Sequence, residues 1–184
     1  MDAVRLVALS AASRGMVPHV TSTDAAAVRA AHGAIAQAAA GLVKEGRAQL
    51  DVTTVARVYA GDGGADTPAV VLTPLRRDAA RIVIEIQRPD LWWLNAGDGP
   101  GTELPIRRAL TGDIVGDARL LVDAVVAGRY SHEVCIEQSR ARQGKGPVRV
   151  WSETFVTENG PVTSRHFGSR ADGQATGQRT FAPY

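Results

Sequence analysis

The twenty residues 148–167, VRVWSETFVTENGPVTSRHF, decide the fold. Two runs rich in β-branched and aromatic residues flank Asn159-Gly160, and an Asn-Gly pair between such runs is the strongest short-range hairpin signal. A two-residue loop at Asn159-Gly160 sets Glu153 opposite His166, Thr154 opposite Arg165 and Phe155 opposite Ser164. Trp151, Glu153 and Phe155 then share a face with Ser164 and His166. A carboxylate touching an imidazole raises the histidine pKa and can orient the ring as a base. Glu153 and His166 are therefore the candidate catalytic pair, with Tyr130 as a further polar group. On a solvated face the same pair is a cross-strand contact worth about 0.2–1 kcal/mol. The pairing depends on register, because a one-residue slip turns every side chain to the other face.

Working outward from the hairpin, residues 131–138 read as a strand, joined to it by a basic loop. That loop and its border carry Arg140, Arg142, Lys145 and Arg149 with no acid among them. Before it, Asp113 opens a helix reaching Ala127, with Ile114, Ala118, Leu121, Val122 and Val125 on one side and Gly128 as the stop. Residues 97–105 hold three glycines and two prolines and read as irregular. Strands are expected from Gln49 to Tyr59, over 69–75, over 81–87 and over 91–95. The last carries Trp92 and Trp93, which point to opposite faces, one to the core and one to a half-exposed position suited to an interface anchor.

Towards the N-terminus, residues 24–45 read as the clearest helix, with Val28, Ala31, Ile35, Ala38 and Leu42 at three- and four-residue steps. Ser22-Thr23-Asp24 offers caps and Gly46 sits where a C′ glycine belongs. Residues 2–14 read as a shorter helix ended by Gly15. Strands thus cluster in runs instead of alternating with helices. The expectation is an α+β fold: a largely antiparallel sheet of six or seven strands, with two N-terminal helices and one inserted helix on one face. Residues 1–168 read as a single domain and 169–184 as a polar, Gly-rich tail. This order is loosely similar to that of small partner-binding proteins such as secretion chaperones and toxin-immunity proteins.

Composition bounds the rest. With 184 residues, 45% hydrophobic and 22% charged, the chain can bury a proper core. The net charge is only +2, and of 21 basic residues only Lys44 and Lys145 are lysines, a bias of GC-rich coding. Such a mild excess argues against nucleic acid as a partner, leaving only the loop at 140–149 as a phosphate-contacting candidate. A single cysteine, Cys135, forbids an internal disulfide and suits a reducing, cytoplasmic setting. No window approaches a membrane span.

Catalytic signatures fail one by one. Gly144-Lys145-Gly146 lacks the leading glycine and the Ser/Thr of a phosphate loop. Gly61-Asp62-Gly63 and Gly97-Asp98-Gly99 meet Asp66 and Thr102 where a dinucleotide fingerprint needs its third glycine. His132-Glu133-Val134-Cys135-Ile136 ends on isoleucine where a zinc helix needs histidine, so no metal or other cofactor is expected. Cys135 reads as a structural thiol within a strand. The reading that remains is a non-enzymatic module that binds another protein and leaves a homo-oligomer open. Its binding residues are Trp92, Trp93, Trp151, Arg140, Arg142, Lys145 and Arg149. The competing readings are a small enzyme or ligand pocket built on Glu153 and His166, and nucleic-acid binding through the 140–149 loop.

Overall fold

The computed structural model describes residues 22–56, 66–99, 101–106, 111–137, 148–170 and 176–184. The fold is α+β with antiparallel sheets. Five strands, β1 (Ala48–Ala56), β2 (Asp66–Pro74), β3 (Ile82–Arg88), β4 (Leu91–Ala96) and β5 (Thr102–Leu104), pair in sequence order as a meander, with apolar residues alternating in β3 and β4 and running continuously over Ala69–Leu72 in β2. A second sheet holds β6 (Tyr130–Glu137), β7 (Val148–Thr157), β8 (Gly160–Arg170) and β9 (Gly177–Thr180), in the order β8-β7-β6-β9. The strands expected as one sheet are therefore divided between two. The expected helix over 2–14 lies outside the described residues.

The helix expected over 24–45 is α1 (Ser22–Ala38) followed by α2 (Ala40–Lys44). The backbone bends at Ala39, with φ −110° and ψ 11°. Hydrogen bonds from Ala39 N–H to the Ile35 carbonyl (2.9 Å) and from Val43 N–H to the Ala39 carbonyl (3.0 Å) carry the helix across the bend. At its end Arg47 N–H reaches back to the Leu42 carbonyl (2.8 Å) and Gly46 N–H to that of Val43 (3.1 Å), closing a Schellman motif.

The inserted helix, α3 (Ile114–Val126), begins where Asp113 accepts a hydrogen bond from Gly116 N–H at 2.7 Å, an N-cap. Leu120, Leu121, Val122, Ala124 and Val125 are all buried, a wide apolar face because α3 meets α1, β4, β5 and β7. The small side chains of Ala27, Ala31 and Ala34 let α1 lie close, and it packs chiefly on α3, β2 and β3. Inward-facing Val70, Leu72, Ile82, Ile84, Ile86, Trp92 and Leu94 complete one core shared by both sheets.

One buried acid belongs to this framework. Asp117 has no exposed surface and accepts from Ile106 N–H (3.2 Å), Thr111 N–H (3.0 Å) and the Thr111 hydroxyl (2.9 Å). It ties the entry into α3 to the end of β5. Asp117→Ala leaves those donors unmet and is expected to cost about 2–3 kcal/mol in urea unfolding. A loss below about 0.5 kcal/mol would show that other groups hold the segment.

The C-terminal residues depart most from expectation. β9 pairs antiparallel with β6 through Ser131 to Val134, and the chain beyond it is docked. Phe181 is 6% exposed and stacks on Tyr130 at 5.3 Å. Tyr184 is 4% exposed; its N–H meets the Val126 carbonyl at 3.0 Å and its hydroxyl the Ala80 carbonyl. Ala182 N–H bonds the Asp78 carbonyl at 3.0 Å. The polar composition of 169–180 concealed this, because the anchoring comes from two aromatic residues that follow it.

Candidate functional site

The hairpin register places the candidate pair. Thr157 lies opposite Gly160, so the two loop residues are Glu158 and Asn159, one position earlier than the Asn-Gly reading. The reason is covalent. A loop of Asn159-Gly160 would have to close through the N–H of residue 161, and Pro161 has none. Moving the turn back sets Gly160 opposite Thr157, with Gly160 at φ +109°, a region closed to residues bearing a Cβ. The Thr157 hydroxyl secures the turn, donating to the Gly160 carbonyl (2.7 Å) and accepting from Asn159 N–H (3.2 Å).

This shift corrects the pairing. Glu153 stands opposite Ser164 and His166 opposite Trp151. Because the shift moves partners by two residues, the shared face survives. Glu153 and His166 become diagonal neighbours, with Oε2 to Nε2 at 3.9 Å.

Glu153 sits at the seam between the two sheets and has no exposed surface. From β6 the Tyr130 hydroxyl approaches Oε1 at 2.8 Å, and from β5 the Thr102 hydroxyl donates to Oε2 at 3.2 Å. The Gly101 backbone bonds both Glu153 and His166. Close approach demands glycine there: a Cβ on Gly101 would come within 2.0 Å of Trp93 Nε1. Burial pushes the Glu153 carboxyl up to about 7, against the hydrogen bonds from Tyr130, Thr102 and Gly101. Burial pushes His166 down, opposed by its bond to Gly101. Burial thus pushes both members of the 3.9 Å contact towards their neutral forms, which is not the charge state of an ion pair.

The Tyr130 hydroxyl also lies 2.9 Å from the Ala96 carbonyl. Having one hydrogen, it cannot donate to both acceptors. With Glu153 protonated both contacts are satisfied, the carboxyl donating to Tyr130 and Tyr130 to Ala96. The buried polar group is thus a closed network joining β4, β6 and β7.

That geometry does not assemble a catalytic relay. Ser164 Oγ lies 3.0 Å from His166 Nε2, the same nitrogen that faces Glu153. A nucleophile–base–acid chain needs the two partners on opposite ring nitrogens. Glu153 has no surface to offer a substrate, and His166 leaves 25% of its side chain exposed. A hollow of about 330 Å³ lies elsewhere, between the C-terminal half of α3 and the hairpin turn, lined by Leu120, Asp123, Val126, Ala127, Arg129 and Glu158. Among the described residues no cluster of His, Cys, Asp and Glu could hold a metal ion, and no helix is long and apolar enough to cross a membrane.

Neither family models, curated proteins nor solved structures give a match to this chain. The residues alone carry the reading.

The other binding candidates separate clearly. Trp92 is 1% exposed and belongs to the core. Trp93 is half-buried and meets His166 edge-on at 5.9 Å. Trp151 is half-buried, with the largely buried Arg149 guanidinium 5.4 Å from its ring. Arg140, Arg142 and Lys145 lie outside the described residues. Sequence reasoning missed Thr102 and Gly101, hidden in a Gly/Pro-rich segment, and it missed Phe167. Phe167 is 66% exposed on the outer face of β8, with the Arg165 guanidinium 5.6 Å from its ring. Its place two residues after exposed Arg165 and four after exposed Thr163 is a period-two signal that could have found it.

Proposed function

We propose that this protein is a binding module that engages a partner protein through the second sheet, at the free edge of β8 and the outer face beside it. The observation that carries this reading is Phe167, two-thirds exposed on an eleven-residue strand that has no described strand on its far side. Natural edge strands are normally short, covered or blunted by charge, and a long one bearing an exposed aromatic is a template for another chain. Val156, 47% exposed, adds apolar surface to the same outer face near the turn. The enzyme reading is disfavoured by the sealing of Glu153, whose hydrogen bonds serve the seam between sheets.

A photo-crosslinking residue in place of Phe167, expressed in the source cells, tests this. A discrete adduct with one other protein is expected, together with none from the same probe at Arg119, which is exposed on α3. No adduct at 167, or equal adducts at both positions, would overturn the proposal.

A further inference from the structure

We infer that the outer edge of β8, which has no described strand beside it, takes up an extended acidic segment of a partner as an added strand. The inference rests on the binding role proposed above and names the chemistry of what is bound. Residues 160–170 contain no Asp or Glu, and Arg165 supplies a cation on the exposed face of β8. Arg165 and Phe167 are exposed on one face, two residues apart. A strand laid beside β8 would lie about 4.8 Å away and satisfy its outward main-chain groups first. A carboxylate opposite Arg165 then forms a cross-strand ion pair, and an apolar residue two positions along covers Phe167.

Charge also chooses among occupants. A second β8 fits poorly, because no register of two such strands brings an acid to Arg165. Among the described residues the other long strand with no neighbour on one side is β1, which carries one acid, exposed Asp51, and this makes β1 of a second copy the competing occupant to be tested.

The probes are three fluorescein-labelled nine-residue peptides: alternating glutamate and valine, the same with lysine for glutamate, and the glutamate peptide with alternate backbone nitrogens methylated. Fluorescence anisotropy at low salt is expected to show the glutamate peptide binding about ten-fold tighter than the lysine peptide. Arg165→Glu is expected to invert that preference, Arg165→Gln to abolish it, and methylation to remove binding. Equal affinity for the two charged peptides, or a preference unchanged in Arg165→Glu, would overturn the acidic assignment. Binding retained by the methylated peptide would overturn strand addition. Self-association that rises with concentration and is lost in Asp51→Lys would give the edge to a second copy and overturn the foreign partner. A crosslink at position 167 without any charge preference would sink this inference and leave the binding role standing, whereas no crosslink ends both.

Discussion

Replacing Glu153 with glutamine is expected to remove most of the loss of stability that the protein suffers as pH rises from about 4.5 to above 7. The carboxyl is pushed up to about 7 in the folded chain from an ordinary value of 4.5, chiefly because it is buried. In that window the folded state holds a proton that the unfolded state releases, so raising pH favours unfolding. A shift of this size corresponds to about 3 kcal/mol, fully present below the unfolded value and lost as pH passes the folded one. Glutamine keeps a neutral group in the seam and has no proton to lose.

The groups facing Glu153 set the rest of the profile. Tyr130 is raised by burial and by Glu153 and stays protonated throughout. His166 and His132, which lies opposite Glu153 on β6, are both lowered by burial. Asp98 and Arg179, which pair with each other, act on His132 in opposite senses. Depressed histidines bind protons more readily when unfolded, so they remove stability as pH falls below about 6.5. The wild type therefore loses the Glu153 contribution as pH rises through about 7 and the histidine contribution as pH falls below about 6.5, whereas Glu153→Gln keeps only the second loss. Urea unfolding across pH 5 to 8 reads this directly, and a variant with the same alkaline slope as wild type would refute a neutral Glu153.

Phe181→Ala is expected to cost about 3–5 kcal/mol, as for a buried aromatic that leaves a cavity. The ring meets Tyr130 at 5.3 Å and His132 at 5.7 Å, with the Arg179 guanidinium 4.9 Å from its centre. It also packs against Gly97, where an added Cβ would fall 2.5 Å from the ring. Phe181→Leu should recover part of the loss by refilling the space. A change below about 1 kcal/mol in urea unfolding would mean that residues after β9 are not held in the core.

The fold was legible where a periodic run was long enough to bury a face. Val28 to Leu42, Ile82 to Ile86 and Ile114 to Val125 each repeat often enough to declare helix or strand, and Asp113, Gly46 and Gly128 mark helix boundaries through local chemistry. β5 was invisible because three residues between glycine and proline show no period. The division into two sheets was also invisible, since strand period says nothing of which strands pair. The hairpin register, by contrast, could have been read: Pro161 rules out the turn that Asn159-Gly160 invites. Of the candidate pair, the shared face could be read from alternation. The burial that neutralises Glu153 could not, because Thr102, Gly101 and Tyr130 converge on it only through tertiary packing.

Two features of one sheet thus serve different ends: its inner face closes a polar seam around Glu153, and its outer edge presents Arg165 and Phe167. Amide hydrogen exchange across β8, with and without the glutamate–valine peptide, tests the second assignment most directly. Slowed exchange at alternate amides of Gly160–Arg170, with β1 and the hollow beside α3 unchanged, is the expected result. Unchanged β8 amides under saturating peptide, or protection centred on β1, would contradict it.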